Sequence, residues 1–318
     1  MQRSFWPTEP QTKNGKIAKP FLKWAGGKGQ LIDALAAFFP PELKTGEITK
    51  YAEPFIGGGA VFFYVAQTYP AIQECFISDV NQELVLAYTA IQRDVESLIR
   101  ILRTLEKEYH ALDRDKQKDY FYAQRDAFNA NLEALDFNAF GADWVERTAT
   151  IIFLNRTCFN GLFRVNAKGK FNVPFGDYKN PTLCDADNLR TVSAVLQNAR
   201  IEHGDFRVSE PFCDAHTFVY FDPPYRPLSV TASFTSYSKY QFDDDAQRRL
   251  AAYFNDLSTK KCKLMLSNSD PRNANPNDQF FHELYQGHVI QTVDATRIIN
   301  SDSTKRGKIS ELVIMNYS

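Results

Sequence analysis

Asp222, Pro223, Pro224 and Tyr225 follow directly on four apolar or aromatic residues, Phe218 to Phe221. The apolar run predicts a short buried strand, and the prolines end it because they have no N–H to give to a sheet ladder. In an open α/β sheet ligands bind at the carboxyl ends of strands, so an acid and an aromatic ring are expected at such an edge on stiff backbone. These residue types suit methyl transfer to a planar exocyclic amine, whose lone pair is delocalised into its ring. Asp222 and a proline carbonyl can accept the two N–H groups, and Tyr225 can offer a stacking face. A strand end with a bare Pro-Pro turn is the alternative for these four residues taken alone.

Two glycine-rich stretches are placed to serve that edge. FLKWAGGKGQLIDALAAFF sets two glycines between Lys23 and Lys28 and runs on into an apolar periodic segment, but lacks Walker spacing. It predicts a turn that offers two ammonium groups and the Trp24 indole to a ligand bearing carboxylate or phosphate, or else a solvated turn. ITKYAEPFIGGGAVFFYVAQ predicts a strand, a turn at Gly57 to Gly59, and an amphipathic helix. Glycines there let backbone approach a cofactor at a helix amino terminus. The next strand, ECFISD, ends on Asp79, where an acid can accept hydrogen bonds from ribose hydroxyls. Together they predict a site for an adenosine-containing cofactor.

From Asn81 to about Asn131 the pattern is helical, charged and solvated, and WVERTATIIFLNRT predicts a more buried helix. NRTCFNGLFRVNAKGKFNVPFGDYKNP then gives a strand-turn-strand signal centred on Asn166 to Gly169. Arg156, Arg164, Lys168, Lys170 and Lys179 make it the densest basic region, interleaved with Phe163, Phe171, Phe175 and Tyr178. A β-ribbon of this kind fits the major groove, where arginine addresses guanine; an exposed basic hairpin without a partner is the alternative. Further strands are expected at IEHGDF, TFVYF, KCKLMLSNS and in a terminal pair around a loop with Lys305, Arg306 and Lys308. RPLSVTASFTSYSKYQF is long enough to be a lid, and the acids near Asp243 suit a helix start.

The chain of 318 residues, 44% hydrophobic and 24% charged, has the composition of a folded soluble protein rather than a disordered or membrane-spanning one. A formal net charge of -1 excludes a generally basic nucleic-acid coat but allows a local basic groove. Five scattered cysteines without CxxC spacing point to a reducing compartment and no structural zinc, and the histidines lack metal-ligand spacing. With no signal-peptide core in the first residues, a cytoplasmic protein behind a flexible leader is expected.

Taken in order, FLKWAGGK, EPFIGGG, SDVNQEL, NGLFRVNAKGKFNVPFG, DPPY and SNS resemble the DNA adenine methyltransferase (Dam) family, the D12-class N6-adenine-specific enzymes, in their alpha arrangement. The resemblance covers nearly everything from Pro20 onward. It implies an α/β fold: a Rossmann-like S-adenosylmethionine-dependent methyltransferase sheet with an inserted helical and β-hairpin DNA-recognition domain. The expected division is a leader at 1–19, a catalytic domain from 20–85 and 185–318, and a target recognition domain at 86–184.

The resemblance implies that Trp24, Lys28, Glu53, Phe55, Gly57, Asp79 and Asp222 contact S-adenosylmethionine. Asp222, Pro223, Pro224 and Tyr225 would form the catalytic pocket for an adenine flipped out of double-stranded DNA. Lys23 matches the lysine that reads the first guanine of GATC in bacterial Dam enzymes. Arg164 and Pro174 match readers of the outer base pairs, Leu162 matches a side chain wedged into the duplex, and Tyr178 matches a tyrosine at the DNA interface. Asp177 departs from the pattern, standing where the housekeeping enzyme has arginine, and a carboxylate there is expected to repel phosphate. No metal or membrane is implied, a monomer is the working expectation, and a bacterial or phage source fits. Restriction-modification, housekeeping and phage roles all fit such an enzyme.

The competing readings are methyl transfer to an RNA adenine or a protein glutamine, a catalytically silent DNA-binding relative, and a nucleotide-dependent dehydrogenase. The first more often shows NPPY and lacks such a hairpin. The second gives no reason for an intact Asp222 and Tyr225, and the third needs GxGxxG in place of EPFIGGG.

Overall fold

Among the described residues, short apolar runs alternating with helical stretches give a sheet of seven strands with helices on both faces. The computed structural model describes residues 17–132, 134–226, 242–296 and 308–318. The strands are β1 (Lys50–Glu53), β2 (Glu74–Asp79), β3 (Ala199–His203), β4 (Thr217–Phe221), β5 (Lys263–Ser269), β6 (Val289–Thr296) and β7 (Lys308–Met315). Their order is β3-β2-β1-β4-β5-β7-β6. The first five are parallel, and β7 runs antiparallel to both β5 and β6. The order reverses between β1 and β4, so the carboxyl ends of these two neighbours open a crevice where ligands bind in such sheets.

β4 is buried along its whole length, as the continuous apolar run predicted for a strand covered on both faces. Phe218 and Tyr220 face one core layer, while Val219 and Phe221 face the other. The helices are α1 (Ile32–Ala36), α2 (Glu42–Thr45), α3 (Ala60–Thr68), α4 (Gln82–His110), α5 (Arg114–Ala130), α6 (Ala142–Thr157), α7 (Ala186–Leu196), α8 (Asp244–Thr259) and α9 (Phe280–Leu284). α3, expected to be amphipathic, has no exposed residue. α8 starts where the acids predicted it, with the Asp243 carboxylate accepting from the Ala246 N–H at 2.9 Å. No helix among the described residues is long and apolar enough to cross a membrane.

The helical stretch expected from Asn81 to Asn131 is two helices. Asp113 caps the second by accepting from the Lys116 N–H. α4 passes residues 85 and 86 without a break, and its non-helical residue is Asp94. α4 and α6 pack side by side and are tied by Arg147, whose Nε donates to Glu83 at 3.0 Å while Nη1 donates to the Phe128 carbonyl.

The basic segment departs from the regular β-ribbon expected of it. Two isolated bridges, Cys158 with Phe175 and Val165 with Phe171, replace ladders. The chain turns too often for strands: Asn160, Gly161, Gly169, Asp177 and Asn180 all have positive φ, and Pro174 has no N–H to donate. A tight turn survives at the tip, where the Asn166 N–H donates to the Lys170 carbonyl at 2.9 Å. The leader up to residue 16, the lid expected at 227–241, and Lys305, Arg306 and the Lys308 side chain lie outside the described residues.

Arg147 and Glu83 are 5% and 12% exposed, so removing one partner strands a buried charge. Arg147→Ala is expected to cost about 3–5 kcal/mol, read as a lowered urea midpoint. A loss under about 1 kcal/mol, the value of a surface pair, would show that the pair carries no such strain.

Candidate active site

At the carboxyl end of β4 the Asp222 side chain is 20% exposed and meets Lys28, whose ammonium is 2.7 Å from Oδ1. Lys28 is buried, donates to the Gly26 carbonyl at 3.1 Å, and lies 4.6 Å from the centre of the Tyr225 ring. The solvated-turn alternative is therefore wrong for Lys28, although Lys23 is exposed. Ser267, from the SNS of β5, donates to Asp222 Oδ1 at 3.3 Å and is 2.7 Å from the Tyr220 hydroxyl. Burial pushes the Asp222 carboxyl up, and the Lys28 ammonium opposes that shift.

The residues after Asp222 are fixed from several sides. Pro223 is buried, and the Pro224 carbonyl accepts from Gln247 of α8 at 3.2 Å. The Tyr225 hydroxyl donates to Glu311 of β7 at 2.7 Å. Arg226 grips both oxygens of Asp244 at 2.7 and 2.9 Å, reaches Asp278 at 2.8 Å, and lies over the Phe280 ring at 4.2 Å. None of these supporting partners was singled out from the sequence. Arg226 and Gln247 sit in ordinary polar contexts, and Glu311 lies in a strand remote from the motif.

The neighbouring strand end holds the second group of candidates. Glu53 is buried at the end of β1 and accepts from the Tyr51 hydroxyl at 2.6 Å. Burial, with the nearby Asp222 carboxylate, holds its carboxyl well above the usual range. The turn after it requires glycine. At Gly59, with φ of 73°, a Cβ would stand 2.5 Å from the Tyr88 hydroxyl, and at Gly57 one would stand 3.0 Å from the Trp24 ring. Asp79 at the end of β2 accepts from the Gly57 N–H at 3.1 Å and the Asn81 N–H at 2.9 Å, and burial pushes its carboxyl up to about 6. Phe55 packs on Phe206 and Phe242 at 5.7 and 5.5 Å. Val80, exposed beside Asp79, adds apolar surface that the sequence reading passed over. No cluster of metal-ligating side chains occurs among the described residues.

The basic segment is joined to this site. Asn155, fully buried in α6, accepts from the Lys23 N–H at 2.8 Å and donates to the carbonyls of Lys23 and Gly161 at 2.9 and 2.7 Å. Trp24 stacks on Phe163 with centroids 5.4 Å apart. Lys23 lies 5.4 Å from the Tyr178 ring. Lys23, Leu162, Arg164 and Pro174 are exposed and Tyr178 is half-buried. Arg164 donates to Asn172 at 2.9 Å, which holds its guanidinium across the turn.

Several basic and aromatic residues of the segment face elsewhere. Arg156 donates to the Phe21 carbonyl at 3.0 Å, and burial lowers its pKa. Phe171 and Phe175 pack inward on Phe128 and Phe121. The exposed aromatic is instead Phe159, 53% exposed at the turn that leads to Leu162. An exposed large apolar side chain cannot be told from a core one in a stretch with four phenylalanines and broken periodicity. Asp177, expected to repel phosphate, is paired with Arg114 of α5. Arg114 also donates to the Tyr178 carbonyl at 2.9 Å and lies 4.9 Å from the Phe175 ring centre, so a cation from another element offsets the carboxylate.

Residues 24–299 match the family model of D12 class N6 adenine-specific DNA methyltransferases. The chain is 50% identical over 300 residues to the type II methyltransferase M.MjaIII of Methanocaldococcus jannaschii, covering 94% of this chain and 99% of that one. It is 37% identical to the type II methyltransferase M1.LlaDCHI of Lactococcus lactis, covering 96% and 98% of the two chains. It is 32% identical to a DNA adenine methylase of Haemophilus influenzae, covering 93% and 92%. The chain belongs to the D12 class of N6 adenine-specific DNA methyltransferases. It is an enzyme that moves a methyl group from a donor to adenine in DNA.

The Lys28 ammonium beside Asp222 favours the ionised form of its carboxyl. Lys28→Met is expected to move the acid limb of the pH–kcat profile to higher pH, with partial recovery in alkali. A loss of the same size at every pH would overturn this role.

Proposed function

We propose that this D12-class enzyme uses S-adenosylmethionine to methylate the adenine of GATC, flipped out of double-stranded DNA. The observation that carries the reading is the meeting of Asp222, Lys28 and Tyr225 one strand away from the Gly57–Asp79 turn. The residues suit such a donor. Asp79 offers a carboxylate for ribose hydroxyls, the glycine turn lies against the Trp24 ring, and acidic Asp222 favours a cationic sulfonium. When bound, the donor supplies an electrophilic methyl group.

The chain's own residues then position and polarise the amine. Asp222 accepts a hydrogen bond from it and draws electron density toward the nitrogen, while a carbonyl of Pro223 or Pro224 is placed to accept the second. The Pro224 carbonyl has a second lone pair beyond the one Gln247 uses. Tyr225 stacks on the flipped ring and fixes its plane. Displacement is direct, with no covalent enzyme intermediate, and the enzyme's contribution is orientation and electrostatics.

In this reading residues 86–184 recognise the target and 20–85 with 185–318 carry catalysis. Lys23 reads the first guanine, Arg164 and Pro174 the outer pairs, Leu162 enters the duplex, and Tyr178 lines the interface. The exposure of Lys23, Leu162, Arg164 and Pro174 supports these roles. A cytoplasmic location suits a DNA substrate and five free thiols.

Incubation with S-adenosylmethionine and a plasmid, followed by digestion with nucleases that distinguish methylated GATC, tests the reading. Protection at GATC is expected, and transfer to adenine elsewhere would refute the target while keeping the chemistry. Asp222→Ala is expected to lower turnover by about 10²-fold or more.

Specificity and affinity should separate. Arg164→Ala is expected to cost about 1–3 kcal/mol of discrimination at its base pair and to leave donor affinity unchanged. Arg114→Ala exposes the Asp177 charge, so DNA affinity should fall for cognate and non-cognate sites alike, with Asp177→Asn restoring it in that background. If Asp177→Asn gives no recovery in titrations at several salt concentrations, the pair has no role in binding.

A further inference from the structure

Glu311 lies near the start of β7, the strand that runs against the direction of β4 and β5. Reversal brings its amino-terminal part to the edge where β4 and β5 end. In register, Glu311 stands opposite Ser269, the last residue of β5, and opposite Val293 on its other side. From there its carboxylate accepts the Tyr225 hydroxyl at 2.7 Å. Lys28 completes the arrangement, 2.7 Å from Asp222 and 4.6 Å from the Tyr225 ring centre. Two carboxylates, one ammonium and one phenol therefore share a half-buried cluster.

The Tyr225 ring has a tether on its hydroxyl and a cation on its face. A phenol fixed at both points loses little further freedom when a base stacks on it, which favours binding geometry over search. Burial raises the Glu311 carboxyl, with the Lys28 ammonium and the Tyr225 hydroxyl opposing that rise. The faces toward Glu311 therefore carry Lys28, Asp222 and Tyr225 as its charged or titratable neighbours.

We propose that Glu311 is a positioning residue for methyl transfer, holding the Tyr225 ring through its hydroxyl at the angle that the flipped adenine stacks on. It touches neither donor nor base. The inference rests on the stacking role given to Tyr225 above, and the two fail separately. Glutamine keeps an acceptor oxygen of the same reach, alanine removes it, and phenylalanine at 225 removes the donor while keeping a stacking face.

The test is single-turnover methyl transfer at saturating S-adenosylmethionine, with 2-aminopurine in place of the target adenine as a parallel fluorescence report of its unstacking and restacking. Glu311→Ala is expected to slow transfer by about 10- to 100-fold, to change the 2-aminopurine signal, and to leave donor affinity unaltered. Glu311→Gln should recover most of the rate. In a Tyr225→Phe background Glu311→Ala should add nothing. Additive losses, or Glu311→Gln as slow as alanine, would overturn the proposal. Should Glu311→Ala not fold, Tyr225→Phe removes the same bond from the other end, and a wild-type rate in that variant overturns it too. Tyr225→Ala at the wild-type rate would instead sink the stacking role itself.

Discussion

The pairing of buried Lys28 with half-buried Asp222 is the constraint on which the site depends. A carboxylate at the end of a fully buried strand is costly to keep ionised, and burial alone pushes it toward the neutral acid. An ammonium 2.7 Å away reverses part of that cost. The Gly-Gly turn must then bring Lys28 across to β4, which is why the segment before α1 packs over the crevice instead of extending into solvent. The same ammonium lies against the Tyr225 ring, so acid, ring and cation are fixed by one contact set.

The basic segment is coupled to this centre by neutral contacts. Asn155 satisfies backbone groups of Lys23 and Gly161 together, and Trp24 stacks on Phe163 while filling the space left by Gly57 and Gly58. A substitution at any of these would shift Lys23 and the glycine turn at once. Buried amides bonded on three sides are costly to disturb, because each loss leaves a partner unsatisfied. This gives a physical route by which a shift in the basic segment is felt at the glycine turn.

At Asp177 a local charge reading leaves out the partner that the fold supplies. In isolation a carboxylate within a basic segment predicts repulsion of phosphate. In the fold, α5 delivers Arg114 from 63 residues away, and the pair presents no net charge. The positive φ of Asp177 also places its carboxylate on a turn that a β-ribbon would not have formed.

Local sequence determined the strands of the central sheet, the glycine turn, the acids at the ends of β2 and β4, and the order of motifs, because each depends on periodicity or on backbone freedom within a few residues. The burial of β4 and the capped start of α8 were legible for that reason. Tertiary structure alone decided which side chains support the site. Glu311, Gln247, Arg226 and Asn155 are ordinary polar residues until sheet order and helix packing bring them to Tyr225, Pro224, Asp244 and Lys23. The same holds for the basic segment, where composition gave charge but not direction: Arg164 faces outward while Arg156 turns in to Phe21. Direction follows from long-range packing, and no local pattern encodes it.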